Sequence, residues 1–217
     1  MKLMLASSLL FLAIFGCGPA AVAPGMTFWF GLKGYQDEMN LLAGRPERWP
    51  ERQRTAESLK TTHGLTLGVS REFNRFVDLD LRRKEFTLAL RGGTLRPERV
   101  QEMNNELAIV NREMGRLNEI IKEQVADAIL RSQVPVQRIE AIATIGLLHL
   151  ALDGIATSNT GSTPAALSTK VGQHTVTDLG NHRSSVTLPD RAVYLCLTLI
   201  FPDEGAGIKC ELPPGKT

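Results

Sequence analysis

The side chains best suited to chemistry in this chain are three cysteines, Cys17, Cys196 and Cys210, and four histidines, His63, His149, His174 and His182. His149 and Asp153 stand four residues apart in an apolar run. On a helix both would lie on one face, where a carboxylate can orient an imidazole or share a metal. A plain hydrogen-bonded pair near a helix end has the same spacing. Glu140, nine residues before His149, falls roughly 180° around a helix and cannot complete that site locally. His174 and His182 sit among Gly172, Gln173, Asp178, Gly180 and Asn181, loop-forming residues that could also gather a metal. The cysteines lack the paired Cys-x-x-Cys or Cys/His spacing of structural zinc. No Gly-x-Ser-x-Gly elbow, no phosphate-cradling Gly-x-x-x-x-Gly-Lys loop and no His-Glu-x-x-His occurs. The sequence therefore assigns no catalytic residue, no metal set and no cofactor, and gives no support to an enzyme. His149 and Asp153 remain as a candidate ligand pair.

Cys196 and Cys210 lie symmetrically about Asp203, within Arg191–Phe201 and Ile208–Leu212, two strand-forming runs joined by the turn-forming residues 202–207. An antiparallel pairing about that turn puts the two cysteines opposite each other on one face, with Cβ atoms ~4.5–5.5 Å apart. Whether they are free thiols or a disulfide depends on the compartment.

The compartment is written at the start of the chain. Lys2 precedes an uncharged run from Leu3 to Phe15, too short for the ~20 residues of a membrane-spanning helix but within the ~7–15 residues of a secretory core. The run ends at Ile14-Phe15-Gly16-Cys17, with a branched aliphatic residue three before the cysteine and a small one directly before it. This resembles the lipobox of bacterial lipoproteins, although Phe15 stands where that family places a small residue. The resemblance covers about twenty residues. It implies acylation of the Cys17 thiol, cleavage before it, and anchorage in a lipid bilayer through the acylated N-terminus. Gly18, in place of the aspartate that retains such proteins in the inner membrane, points to the periplasmic side of the bacterial outer membrane. An oxidising periplasm in turn favours a Cys196–Cys210 disulfide. Two other uses of the segment are a cut after Ala23, which would leave Pro24 behind the scissile bond, and an uncleaved anchor running on to Leu32. The latter would cross Gly16, Gly18, Pro19, Pro24 and Gly25.

The rest of the chain must supply the folded part. The whole sequence, with 43% hydrophobic and 22% charged residues, has the composition of a globular protein. Lys+Arg of 25 against Asp+Glu of 23 gives too small a basic excess for a nucleic-acid partner. The expected fold is mainly α, an antiparallel helical bundle followed by a small C-terminal β-hairpin or β cap. The divisions are a signal peptide over 1–16, a lipid-anchored Gly/Pro/Ala-rich tether over 17–36, the bundle over 37–157, a polar linker over 158–175 and a β tail over 176–217.

Within the bundle, Pro50 suits the first turn of a helix to about Thr62. A second helix, about Thr66 to Leu90, carries Val69, Phe73, Phe76, Leu79, Phe86 and Leu90 at three- and four-residue steps, with a gap at Arg82-Arg83-Lys84. That basic run reads either as the solvated side of a helix or as a strip for lipid phosphates. Val100, Met103, Leu107, Val110, Met114, Leu117 and Ile121 then form a heptad seam. The seam can face neighbours in the same chain or a second copy, so a homo-oligomer is open. A fourth helix, about Val136 to Thr157, is apolar nearly all round, as a buried core helix is. Val176, Leu179 and Val186–Leu188 add short strands to the hairpin.

Two function classes follow. One is a lipid-anchored envelope protein whose bundle and β tail bind another protein, in an assembly, secretion-accessory or immunity-type role. Val193-Tyr194-Leu195-Cys196-Leu197-Thr198 with a second cysteine after a turn is similar to the tails of small immunity-type lipoproteins. The other is a periplasmic bundle that binds a small ligand or metal near His149 and Asp153.

Overall fold

The computed structural model describes residues 22–63, 67–131, 138–158, 167–201 and 205–213. Cys17 and the signal-like run lie outside the described residues. The helices are α1 (Val22–Leu41), α2 (Trp49–His63), α3 (Ser70–Arg91), α4 (Pro97–Arg131) and α5 (Arg138–Thr157), with a 3-10 turn (Pro46–Arg48) before α2. The strands are β1 (Ser168–Val171), β2 (His174–Gly180), β3 (Arg183–Thr187), β4 (Val193–Phe201) and β5 (Gly205–Glu211). The chain is thus mostly helical with a small C-terminal antiparallel sheet.

The tether expected over 17–36 gives way to helix at Val22. Met26, Phe28, Trp29, Leu32, Tyr35 and Met39 are all buried, at the three- and four-residue steps of a core-facing helix. Each internal glycine costs a helix roughly 1 kcal/mol, whereas burying a large apolar side chain contributes about 1.5–3 kcal/mol. The aromatic residues therefore outweigh Gly25, Gly31 and Gly34. Gly25 also permits a close approach: a Cβ there would lie 2.8 Å from Thr144 Cγ2 and 3.0 Å from Ile129 Cδ1.

α1 packs on α2 and α5, and α3 on α2 and α4. α4 and α5 run in opposite directions, since Asn118 meets Asp153 and Lys122 meets His149. α1 runs with α5, Gly25 lying against Thr144 and Gln36 Nε2 donating to the Ala151 carbonyl at 2.9 Å. Along α4, Met103, Val110, Met114, Leu117 and Ile121 are buried, and the series continues to Val125 and Ile129. Val100 and Leu107 are only partly covered. Among the described helices α5 alone is long and apolar enough to cross a membrane, and 72% of its apolar window is buried inside the protein.

The five strands pair in sequence order, each antiparallel to the next. The linker expected over 158–175 is shorter than that, because β1 opens at Ser168 and β2 at His174. Val176, Val186 and Cys196 face α5, packing on Ile142 and Ala143. Gly146 makes that contact sterically feasible, since a Cβ on it would come 2.4 Å from Val176 Cβ. Cys196 and Cys210 are register partners across β4 and β5, joined as a disulfide. The Cys210 N–H, on the side of β5 away from β4, donates to Glu140 Oε1 of α5 at 3.3 Å.

Candidate functional site

A sheet with one face on helices normally turns polar residues to water on the other. This one does not. On β4, Cys196 and Thr198 point inward and are 2% and 6% exposed, whereas the alternate residues Leu195 and Leu197 are 50% and 48% exposed. Their cross-strand neighbours are Ser185 and Glu211 beside Leu195, and Arg183 and Lys209 beside Leu197. Leu179, Leu199, Leu212 and Pro213 extend the apolar area into a groove of about 510 Å³, whose walls also carry Arg183, Lys209 and Glu211. Lys209 Nζ and Glu211 Oε1 pair at 2.6 Å, both two-thirds exposed, so the pair adds little to stability. Clustered leucines at half exposure on a sheet face are the kind of patch that another molecule covers. On the edge side, α1 packs against β5 and Glu140 satisfies Cys210, so contact there runs through side chains more than through strand addition.

His149 and Asp153 do share a side of α5, but each is taken up by α4. Asp153 Oδ1 accepts from Asn118 Nδ2 at 2.7 Å and pairs with Lys122 Nζ at 2.8 Å. His149 Nε2 lies 3.3 Å from the Lys122 carbonyl, which makes that nitrogen the protonated one. Burial pushes the imidazole below the ordinary histidine range, against the Lys122 carbonyl contact that favours the cation. The pair thus fastens α5 to α4. His174 Nδ1 lies 3.3 Å from the Val171 carbonyl in the β1–β2 turn. His182 sits in the β2–β3 turn with its ring 5.9 Å from that of Phe30. The six steps of β2 from His174 to Gly180 keep these two histidines about 20 Å apart, so they do not form a joint loop site. Among the described residues no group of three or more His, Cys, Asp and Glu is placed to hold a metal.

The basic run on α3 is where the structure departs most from sequence expectation. Arg82 is exposed, pairing with Glu106 at 2.7 Å, but Arg83 and Lys84 are buried. Asp80, fully buried, accepts from Tyr35 Oη at 2.7 Å, Arg83 Nη2 at 2.7 Å and Lys84 Nζ at 2.6 and 2.5 Å. Arg83 also reaches the end of α5, donating to the carbonyls of Ile155 at 2.5 Å, Ser158 at 2.8 Å, and Ala156. Arg52, 2% exposed, caps the end of α1 through the Leu42 carbonyl. Arg83 serves carbonyls that the end of α5 leaves exposed, and Arg52 adds a second donor to the Leu42 carbonyl, which also accepts from the Arg45 N–H at 3.2 Å. Burial pushes the Asp80 carboxyl up, but the Lys84 and Arg83 charges and the hydrogen bonds from Lys84 and Tyr35 outweigh it and hold the group below its usual range. Burial, and then the charge of Asp80, raise the Tyr35 phenol well above its usual range, so it stays a neutral donor. Asp80 at i, Arg83 at i+3 and Lys84 at i+4 is a one-face spacing legible in the sequence; its burial is not.

Compared with family models, curated proteins and solved structures, the chain matches none.

Proposed function

We propose that this chain is a lipid-anchored protein of the bacterial envelope, on the periplasmic side of the outer membrane, that binds another protein through the outer face of its C-terminal sheet. The observation that carries the proposal is the leucine face of β4, set in a groove with Arg183, Lys209 and Glu211. Its apolar floor supplies affinity, and its charges supply selectivity and register. The helical part acts as a bundle in which the α4 seam serves partners within the chain, as the burial of Met103, Val110, Met114, Leu117 and Ile121 supports. The disulfide suits an oxidising compartment, and it fixes the register of the strand that bears the leucines.

Anchorage at Cys17 would also orient the molecule. The five residue steps from Cys17 to Val22, where α1 begins, reach at most about 18 Å. Gly25 lies against Thr144 and Ile129, so the start of α1, the end of α4 and the first half of α5 would lie nearest the bilayer. The sheet packs on that same half of α5.

The test is in-membrane crosslinking of the full chain, compared with Leu197→Glu. A crosslinked partner seen with the native chain and lost with the variant, together with a diacylglycerol mass on Cys17, is the expected result. An equal yield from both chains removes the sheet face from the proposal, and an unmodified Cys17 thiol removes the anchor.

A further inference from the structure

The buried charges of α2 and α3 do not balance. Arg52, Arg83 and Lys84 are each at least nine-tenths buried, whereas Asp80 is the one buried carboxylate among the described residues. The ends of α1 and α5, capped by Arg52 and Arg83, each contribute roughly half a negative charge. A surplus of about one positive charge remains, and an unpaired charge in a low-dielectric interior is costly.

The surplus opens on a notch of about 20 Å³ between the turn after α1, α2 and the end of α3. Its walls include Arg52, Lys84 and Arg91, with no acidic residue among them. Lys84, Thr87, Leu88 and Arg91 are at i, i+3, i+4 and i+7, so α3 turns one side to the notch. Two donors are unspent. Arg52 Nε is buried with no hydrogen-bond partner, while its Nη2 is engaged by Leu42 and its guanidinium stands 5.6 Å from the Trp49 ring centroid. Lys84 gives two of its three N–H groups to the Asp80 oxygens and stands 6.0 Å from the Tyr35 ring centroid, which leaves the third N–H without a hydrogen-bond acceptor. Gly44, in the wall, takes a φ of +73°, and a Cβ on it would meet open space, so the notch communicates with solvent. Burial and the neighbouring Arg83 and Arg52 charges together hold the Lys84 ammonium below its usual range despite Asp80, the direction in which an anion is wanted.

We infer that this notch binds an oxyanion, a phosphate or carboxylate group whose leading oxygen takes the Arg52 Nε and Lys84 Nζ donors while Arg91 closes on it from outside. The volume admits one oxygen-sized group, so the rest of the ligand stays in solvent. Under the proposed anchor the notch lies beyond the far end of α1, about 30 Å from its start, which favours a soluble anion over a lipid headgroup.

The test titrates the full chain in detergent with inorganic phosphate at constant ionic strength, following the unfolding temperature. Substituting Arg52 or Lys84 would also disturb the fold, so the variant is the exposed Arg91→Gln, with Arg112→Gln on α4 as control. A saturable rise in unfolding temperature is expected, its midpoint moved about tenfold to higher phosphate by R91Q, the loss of one charge-assisted hydrogen bond, and unmoved by R112Q. A parallel arm replaces phosphate by phosphatidylglycerol vesicles, which should bring no R91Q-sensitive rise. Absence of a saturable rise with phosphate, or equal midpoints for the native chain and R91Q, overturns the inference. An R91Q-sensitive rise with the vesicles alone reassigns the site to lipid and overturns the soluble-anion claim. None of these outcomes depends on whether the sheet face binds a protein.

Discussion

Replacing Asp80 by asparagine keeps the volume and removes the charge. The acceptor it removes serves Tyr35 at 2.7 Å, Arg83 at 2.7 Å and Lys84 at 2.5 Å, and an amide would turn its own N–H groups toward at least one of those donors. Arg83 keeps its carbonyls on α5, but Lys84 is left as a buried ammonium with no counter-charge. Breaking a buried pair from one side costs about 3–5 kcal/mol, a large share of the roughly 5–15 kcal/mol that holds a domain folded. Urea unfolding of the disulfide-intact chain should therefore show D80N with an unfolding free energy lowered by that amount, read as a lower midpoint at an unchanged slope. Adding Lys84→Met to D80N should recover part of the loss, because it removes the orphaned charge, and the pair of substitutions should be far from additive. The carboxyl is held below its usual range when folded. Its stabilisation is accordingly whole above the unfolded value of about 3.9 and disappears as pH falls through the lower folded one, so D80N should flatten that part of the acid limb. A D80N loss under about 1 kcal/mol, or strict additivity with K84M, would refute the counter-charge argument.

Further expectations follow from the same contacts. Cys196→Ser with Cys210→Ser opens a crosslink across fourteen residues, and denaturant titration should register a loss of about 3 kcal/mol; no loss means the sheet is held by α5 alone. His149 is held neutral by burial. Its contribution is thus whole above about pH 6.5, the ordinary histidine value, and shrinks as pH falls below it. Stability curves of the native chain and His149→Gln should converge on acidification, and parallel curves would rule His149 out as the titrating group.

Much of the architecture is legible where period and burial agree. On α4, Met103, Val110, Met114, Leu117 and Ile121 are buried and Leu107 only partly so, and the helix runs past the expected seam because Val125 and Ile129 keep the spacing. The Cys196–Cys210 register follows from symmetry about a turn, a local property of two runs and the residues between them. α1 is illegible for the opposite reason. Its three glycines and Pro24 describe a flexible chain, and only the presence of α5, α2 and β5 around it turns Phe28, Trp29 and Tyr35 into a buried stripe. Local propensity loses to burial there by a few kcal/mol per aromatic residue. The sequence offers the bundle and the β tail together as a binding surface and gives no sign that Leu195 and Leu197 face water, since outward and inward leucines on one strand look alike until the sheet has a covered side.

The charged run on α3 shows the same limit in electrostatics. Asp80, Arg82, Arg83 and Lys84 look alike as text, yet one is a solvated partner of Glu106 and three are interior. What separates them is the position of two helix ends. Arg83 can be buried because α5 stops beside it with carbonyls to spare, and Arg52 because α1 stops beside Leu42. Lys84 has no such end and relies on Asp80, whose carboxylate it shares with Arg83 and Tyr35. The deficit is therefore local to Lys84 and Arg52, on the side where Arg91 and Gly44 open to solvent. An anion entering there would complete the charge balance without moving a helix, so its effect should appear as added stability with little change in fold.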